Sequence, residues 1–206
     1  MTAARVVPVV SDVELPAGMA GPEPMTFDVR CFLVPHEDGV ALVDTGMRPD
    51  AEPIATALTA IGAGWPDLTD VVLTHEHPDH CGGLSTVVAN APSAAVWAGS
   101  GDTFPVPTRT ADDGTVIRGL RVIATPGHTA GHLCLLDEDH GALFTGDAIG
   151  SQDGTLTQGP EPFIADHQQA ARSLRRLAGL RAARLLFGHG DEVADPADAL
   201  ARFVRG

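Results

Sequence analysis

The chain of 206 residues is long enough for one domain with a sizeable core, and its 44% apolar content supports folding. A formal net charge of −14 disfavours nucleic-acid backbones and anionic membrane surfaces as partners. No segment approaches the roughly 20 apolar residues of a membrane span, residues 1–10 lack a secretory pattern, and three cysteines are too few for a disulfide framework. One domain over residues 1–206 and a cytoplasmic location are therefore expected.

Residues 5–15 alternate loosely and carry Pro8, which suggests an edge strand. Residues 16–25 read as a loop rich in Gly and Pro. Residues 27–34 and 40–43 read as strands joined by the turn Glu37-Asp38-Gly39. A helix is predicted over 51–61, capped by Asp50, with Ile54, Leu58 and Ile61 at helical spacing and Gly62 as its stop. Val71, Val72 and Leu73 form a short buried strand. A second helix is predicted over 78–88, weakened by Gly82 and Gly83, which would let its first turn approach other backbone. Short strands follow at 94–98, 115–117 and 120–124, then a hairpin of 133–136 with 142–145. Residues 150–162 read as a loop, 164–178 as a helix stopped by Gly179, 184–187 as the last core strand, and Asp195-Pro196 as the start of a final helix. Two strand-rich halves with helices beside each suit two sheets packed face to face with helices outside, an α+β layering.

Between the strand at Val71 and the second helix stands Thr74-His75-Glu76-His77-Pro78-Asp79-His80, with three of the nine histidines. In an extended segment residues two apart project to the same side, so His75 and His77 can grip one metal ion. Pro78 suits the first turn of a helix. Asp79 and His80 therefore leave on a new path and can face a second ion. Imidazole nitrogen and carboxylate oxygen are ligands for zinc, and also for iron or manganese. Further metal-capable residues follow predicted strands: His128 in Thr125-Pro126-Gly127-His128-Thr129-Ala130-Gly131-His132, Asp147 in Thr145-Gly146-Asp147, and His189 in Gly188-His189-Gly190. Functional residues commonly sit on such loops. Cys31 and Cys134 read as buried thiols, and Cys81 as a packing residue rather than a ligand.

The His-x-His-x-Asp-His run and the three later elements resemble the metallo-β-lactamase superfamily, in its glyoxalase II and lactonase branch. The resemblance covers Asp44 to His189. It implies a four-layer αβ/βα sandwich with a dinuclear metal site at one edge. It implies His75, His77 and His128 on one divalent ion, Asp79, His80 and His189 on a second, and Asp147 bridging them. The ions would most readily be zinc, with iron or manganese possible. Asp44 would orient a ligand histidine, and His132 would be structural. His36, His140 and His167 have no motif support, although His167 lies near a site loop.

Two such ions, about 3.5–4 Å apart, activate water for attack on a carbonyl and stabilise the developing oxyanion; Asp79 would orient that water. The resembling zinc β-lactamases generally carry Cys or Ser in place of Asp147. The resemblance therefore implies hydrolysis of a small ester, thioester or lactone. A β-lactam hydrolase and a mononuclear iron oxygenase of the persulfide dioxygenase kind are the alternatives. The chain has no Tyr, whereas glyoxalase II and many lactonases of this fold use tyrosines at substrate. The substrate pocket is expected between loops 16–27 and 150–163, lined by Met19, Met25, Phe27, Ile149, Leu156 and Phe163. Its occupant would be a neutral or weakly polar small molecule.

Overall fold

The computed structural model describes residues 6–19 and 22–206. Arg5 of the predicted first strand and Ala20 and Gly21 of the predicted loop lie outside the described residues. Successive side chains of a strand face opposite ways, and here both faces of the central strands are apolar. In β1 (Val7–Leu15) Val9 is the most buried residue of its end. In β2 (Met25–His36) Cys31 and Leu33 enter one core, and Phe32 and Val34 another. Leu42 parts from Ala41 and Val43 in β3 (Gly39–Val43), and Val71 and Leu73 from Val72 in β4 (Leu68–Leu73), in the same way. Continuous apolar runs of this kind mark strands covered on both sides.

The first sheet continues through β5 (Ala95–Ala98) and β6 (Arg109–Thr110), in the order β1-β2-β3-β4-β5-β6. The helices α1 (Glu52–Ala60), α2 (Pro78–Cys81) and α3 (Leu84–Asn90) belong to this half, where Ile54, Leu58, Leu84 and Val87 close its outer core. The second sheet holds β7 (Val116–Ile117), β8 (Leu120–Ala124), β9 (Leu133–Asp137), β10 (Ala142–Gly146) and β13 (Arg184–Phe187), ordered β13-β10-β9-β8-β7. Cys134, Leu136, Leu143, Leu185 and Phe187 face Leu174 and Leu177 of α4 (His167–Leu180) and Leu200 of α5 (Pro196–Phe203). Between the sheets lies the central core, where the rings of Phe32 and Phe144 meet edge to face at 5.3 Å. Burying a Leu or Phe side chain contributes about 1.5–3 kcal/mol, and three such cores hold the four layers. The architecture is the expected αβ/βα sandwich.

The pairs β3–β4 and β10–β13 are each parallel. Their C-terminal ends carry Asp44, the His75 segment, Asp147 and His189 to one edge. Pro8 lies in β1, the outer strand of its sheet, as its missing N–H requires.

Several boundaries differ from the sequence reading. The helix expected over 78–88 is two helices, because Gly82 and Gly83 sit where a Cβ would meet the Met47 and Thr45 carbonyl oxygens at 2.4 and 2.6 Å. The close backbone approach is real, and the continuous helix is not. The cap of α1 is Ala51 in a left-handed conformation, while the Asp50 carboxylate still accepts the Glu52 N–H at 3.1 Å. Helix α4 begins later than residue 164, at a point fixed by Asp166, which accepts from the N–H groups of Gln168 and Gln169. It then runs through Gly179 to Leu180. Asp195 precedes α5 without a side-chain cap. The predicted loop 150–162 contains a small hairpin, β11 (Gly150–Gln152) with β12 (Thr155–Thr157).

Candidate metal centre

Strand ends aim the site. His75 and His77 follow β4, His80 lies on the single turn of α2 that Pro78 starts, and His128 follows β8. Asp147 follows β10 and His189 follows β13. The structure brings all of them together in two groups that could each hold an ion: His75, His77, His128 and Asp147, and Asp79, His80, His189 and Asp147. Asp147 is common to both. Its Oδ2 lies 3.5 Å from His128 Nε2 and 3.3 Å from His189 Nε2, and its Oδ1 lies 3.1 Å from His80 Nε2. His128 Nε2 is 2.9 Å from His77 Nδ1, and Asp79 Oδ2 is 3.3 Å from His189 Nε2.

The far ring nitrogens decide which atoms face inward. The Thr74 hydroxyl donates to Asp44 Oδ2 at 2.8 Å and so receives His75 Nδ1–H at 3.0 Å, leaving His75 Nε2 a bare acceptor. Asp44 also accepts the Thr74 N–H and receives His80 Nδ1–H at 2.8 Å. His189 Nδ1 donates to the Asp28 carbonyl oxygen at 2.7 Å. His132 belongs to neither group. Its Nε2 accepts the Asp147 N–H at 3.1 Å and its Nδ1 donates to Thr125 Oγ1 at 2.8 Å, so it fixes the backbone of Asp147. Thr74 and Asp28 had no signal in the sequence. Thr74 sits beside the motif and its role depends on Asp44, while Asp28 meets His189 only through the fold.

Electrostatics separate the two groups. Burial pushes His75 well below the ordinary imidazole range and His128 down to about 4, so both are neutral. Burial also opposes charge on His80 and His189, but nearby carboxylates outweigh it: Asp147 and Asp44 hold His80 well above its usual range, and Asp147 and Asp79 push His189 up to about 10. Burial disfavours charge on Asp147 as well, yet the His80 and His189 charges keep its carboxyl well below the usual carboxylate range. His75 Nε2, His128 Nδ1 and Asp147 Oδ1 are buried without a hydrogen-bond partner. Buried polar groups of this kind call for a partner, and the bare His75 Nε2, 3.9 Å from Asp147 Oδ2, fits a divalent transition metal, whereas His128 turns Nε2 rather than Nδ1 toward Asp147.

The flanks differ in part from expectation. The Phe27 ring stands 5.1 Å from that of His189, and the Phe163 ring 6.1 Å from that of His77, so both border the site. Ile149 and Leu156 do not line a pocket. They are buried in the core between the second sheet and its helices, where the hairpin β11–β12 places them. Met19 and Met25 are exposed. Cys81 donates to the Glu76 carbonyl oxygen and joins neither group. His36, His140 and His167 lie outside both groups, and His167 is exposed 3.9 Å from Glu161.

The chain belongs to the metallo-β-lactamase superfamily: that family's model matches residues 25–105 and 99–189. It is similar to a hydroxyacylglutathione hydrolase of Aeromonas hydrophila subsp. hydrophila, 35% identical over 159 residues, which are 74% of this chain and 57% of the relative. It is similar to the thioesterase pkgB of Emericella nidulans, 32% identical over 147 residues, 66% of this chain and 38% of the relative. It thus spans less than two thirds of either of these curated relatives. The fold is similar to that of TTHA1623, solved in a di-iron-bound form, with a TM-score of 0.69 and 24% identity over 92% of this chain and 96% of that one. The fold is that of the metallo-β-lactamase superfamily. No helix among the described residues is long and apolar enough to cross a membrane.

Proposed function

We propose that this chain uses two divalent ions, sharing one carboxylate, to hydrolyse a small thioester, ester or lactone in the cytoplasm. The observation that carries the reading is the membership of Asp147 in both groups, because a carboxylate has two oxygens and can serve two ions. His75, His77 and His128 would hold one ion, and Asp79, His80 and His189 the other. When bound, such a pair supplies Lewis acidity, activating water and polarising the carbonyl oxygen of the substrate. Asp79 would orient the attacking water and shuttle its proton. Burial works against its charge, but His189 and His80 hold its carboxyl below the usual range, so it is ionised at neutral pH. His80 and His189 keep their Nε2 atoms inward by donating Nδ1–H to Asp44 and to the Asp28 carbonyl. Phe27 and Phe163 offer apolar walls for an acyl group.

The names of the relatives support a thioester substrate, and an aspartate at position 147 supports acyl-ester over β-lactam chemistry. Zinc suits the donor set, and the di-iron form of TTHA1623 makes iron the second candidate metal. The three cysteines are free, which suits a reducing compartment. Elemental analysis of the purified protein, beside assays on thioesters, lactones and β-lactams, tests the reading. Two equivalents of metal with thioester or lactone turnover are expected. One iron with oxygen consumption would establish the oxygenase instead, and β-lactam turnover alone would overturn the substrate class.

A further inference from the structure

The loop after β5 is clasped to the metal centre at one side chain that takes no part in either group. Asp102 Oδ2 accepts the Glu76 N–H at 3.1 Å and the Thr129 hydroxyl at 2.6 Å, and Asp102 Oδ1 accepts the Gly131 N–H at 2.6 Å. Glu76 lies between His75 and His77, and Thr129 follows His128. The Glu76 carboxylate returns the contact by accepting the Thr103 N–H at 2.7 Å. The two segments also touch through bare backbone. A Cβ on Gly99 would fall 1.9 Å from the Gly131 carbonyl oxygen, and one on Gly131 would fall 2.8 Å from the Asp102 carboxyl carbon. Gly131 is needed for this close approach. Asp102 makes no contact with the second group, where Asp44 holds His80, the Asp28 carbonyl holds His189, and the Asp28 carboxylate accepts the neighbouring Gly190 N–H at 3.1 Å.

We propose that Asp102 is a positioning residue for the first metal group alone. The inference rests on the dinuclear reading above. Its carboxylate locks the segment of His75 and His77, on the first sheet, to the segment of His128, on the second. The spacing of three imidazoles that come from two sheets is thereby set before any ion arrives. A merely structural carboxylate would support the fold without favouring one group. A positioning carboxylate acts on one group and leaves the other.

The test measures zinc affinity by chelator competition, beside amide hydrogen exchange on the metal-free protein, for wild type, Asp102→Ala, Asp102→Asn and Thr129→Val. Partners that orient metal ligands typically contribute 10–100-fold in affinity. Asp102→Ala is expected to weaken one of the two zinc sites by about that factor and leave the other within about twofold. His77→Ala and His189→Ala identify which site is which. Exchange at the Glu76 and Gly131 amides should quicken in Asp102→Ala. Asp102→Asn keeps one acceptor oxygen and should lose less. Thr129→Val removes a single bond from a side chain of the same shape, so it reports even where the alanine variant fails to fold. Unchanged exchange at Glu76 and Gly131, or equal weakening of both sites, overturns the proposal. Wild-type protein that takes up no second ion overturns the dinuclear reading, and exchange at the two amides then still decides whether Asp102 ties the loops.

Discussion

The two halves of the metal centre share Asp147 but are prepared for a cation in opposite ways. In the first group burial keeps His75 and His128 neutral, and His75 Nε2 is left without a partner. In the second, carboxylates hold protons on His80 and His189. One half offers His75 Nε2 without a partner, and the other is laced with contacts between imidazoles and carboxylates. A ligand histidine must be neutral to bind metal, so the first half can take an ion directly. The second must exchange protons for it. The cause is the placement of charge: Asp44 and Asp79 both stand on the side of His80 and His189.

Removing metal gives the largest expected effect on this comparison. Without an ion the first half keeps buried atoms unpaired, and the ligands link segments from residue 75 to residue 189 across both sheets. An ion at about 1,000 times its Kd stabilises the folded state by about 4 kcal/mol, on the order of 10 °C in Tm for a chain of this size. Chelation should lower the melting temperature by that order and zinc should restore it. An unchanged melting curve after verified removal would uncouple the site from the fold.

Next comes the shared residue. Asp147→Ala deletes a negative charge between two cations, whose repulsion is then less offset. Elemental analysis should give fewer than two equivalents and assays the loss of most hydrolytic activity, with circular dichroism unchanged. His189→Ala should lose the second ion and keep the first. Two metals and full activity in Asp147→Ala would show that the halves are independent sites.

The protonation contrast predicts a pH dependence. Zinc binding at neutral pH should release protons from the second group, measurable by calorimetry in buffers of different ionisation enthalpy. As pH falls from 8 to 6, the second equivalent should weaken more steeply than the first. For the metal-free protein the sign follows from linkage. The raised pKa of His189 contributes stability that is fully present below about 6.5 and lost as pH rises towards about 10. Metal-free melting temperature should therefore fall over that window, while the metal-loaded protein should not show the loss. Equal pH slopes for the two equivalents would erase the distinction between the halves.

The smallest effect concerns His167, which the sequence places near the site. It is exposed, and its neighbour Glu161 is exposed too. His167→Ala should change stability by less than about 0.5 kcal/mol and leave metal content unaltered. A loss of metal would mean that the α4 end closes over the site.

Much of this was legible in the chain itself. Apolar runs such as Val71 to Leu73 declared strands covered on both faces, because burial on two sides leaves no room for polar alternation. The spacing of His75, His77 and His80 around Pro78 declared a bend with ligands on either side, since backbone geometry alone sets those directions. Other features were decided only by the fold. The helix over 78–88 broke at Gly82 and Gly83, where the glycines themselves signalled a close backbone approach but only the fold supplied its partners, the Met47 and Thr45 carbonyls. Ile149 and Leu156 went to the core because the hairpin turned them there. The protonation of His80 and His189, the Asp28 carbonyl behind His189 and the Asp102 clasp depend on residues far apart in sequence. Sequence fixes which chemical groups and local directions exist. Distances between charges, and hence the difference between the two halves of the site, arise only when the two sheets meet.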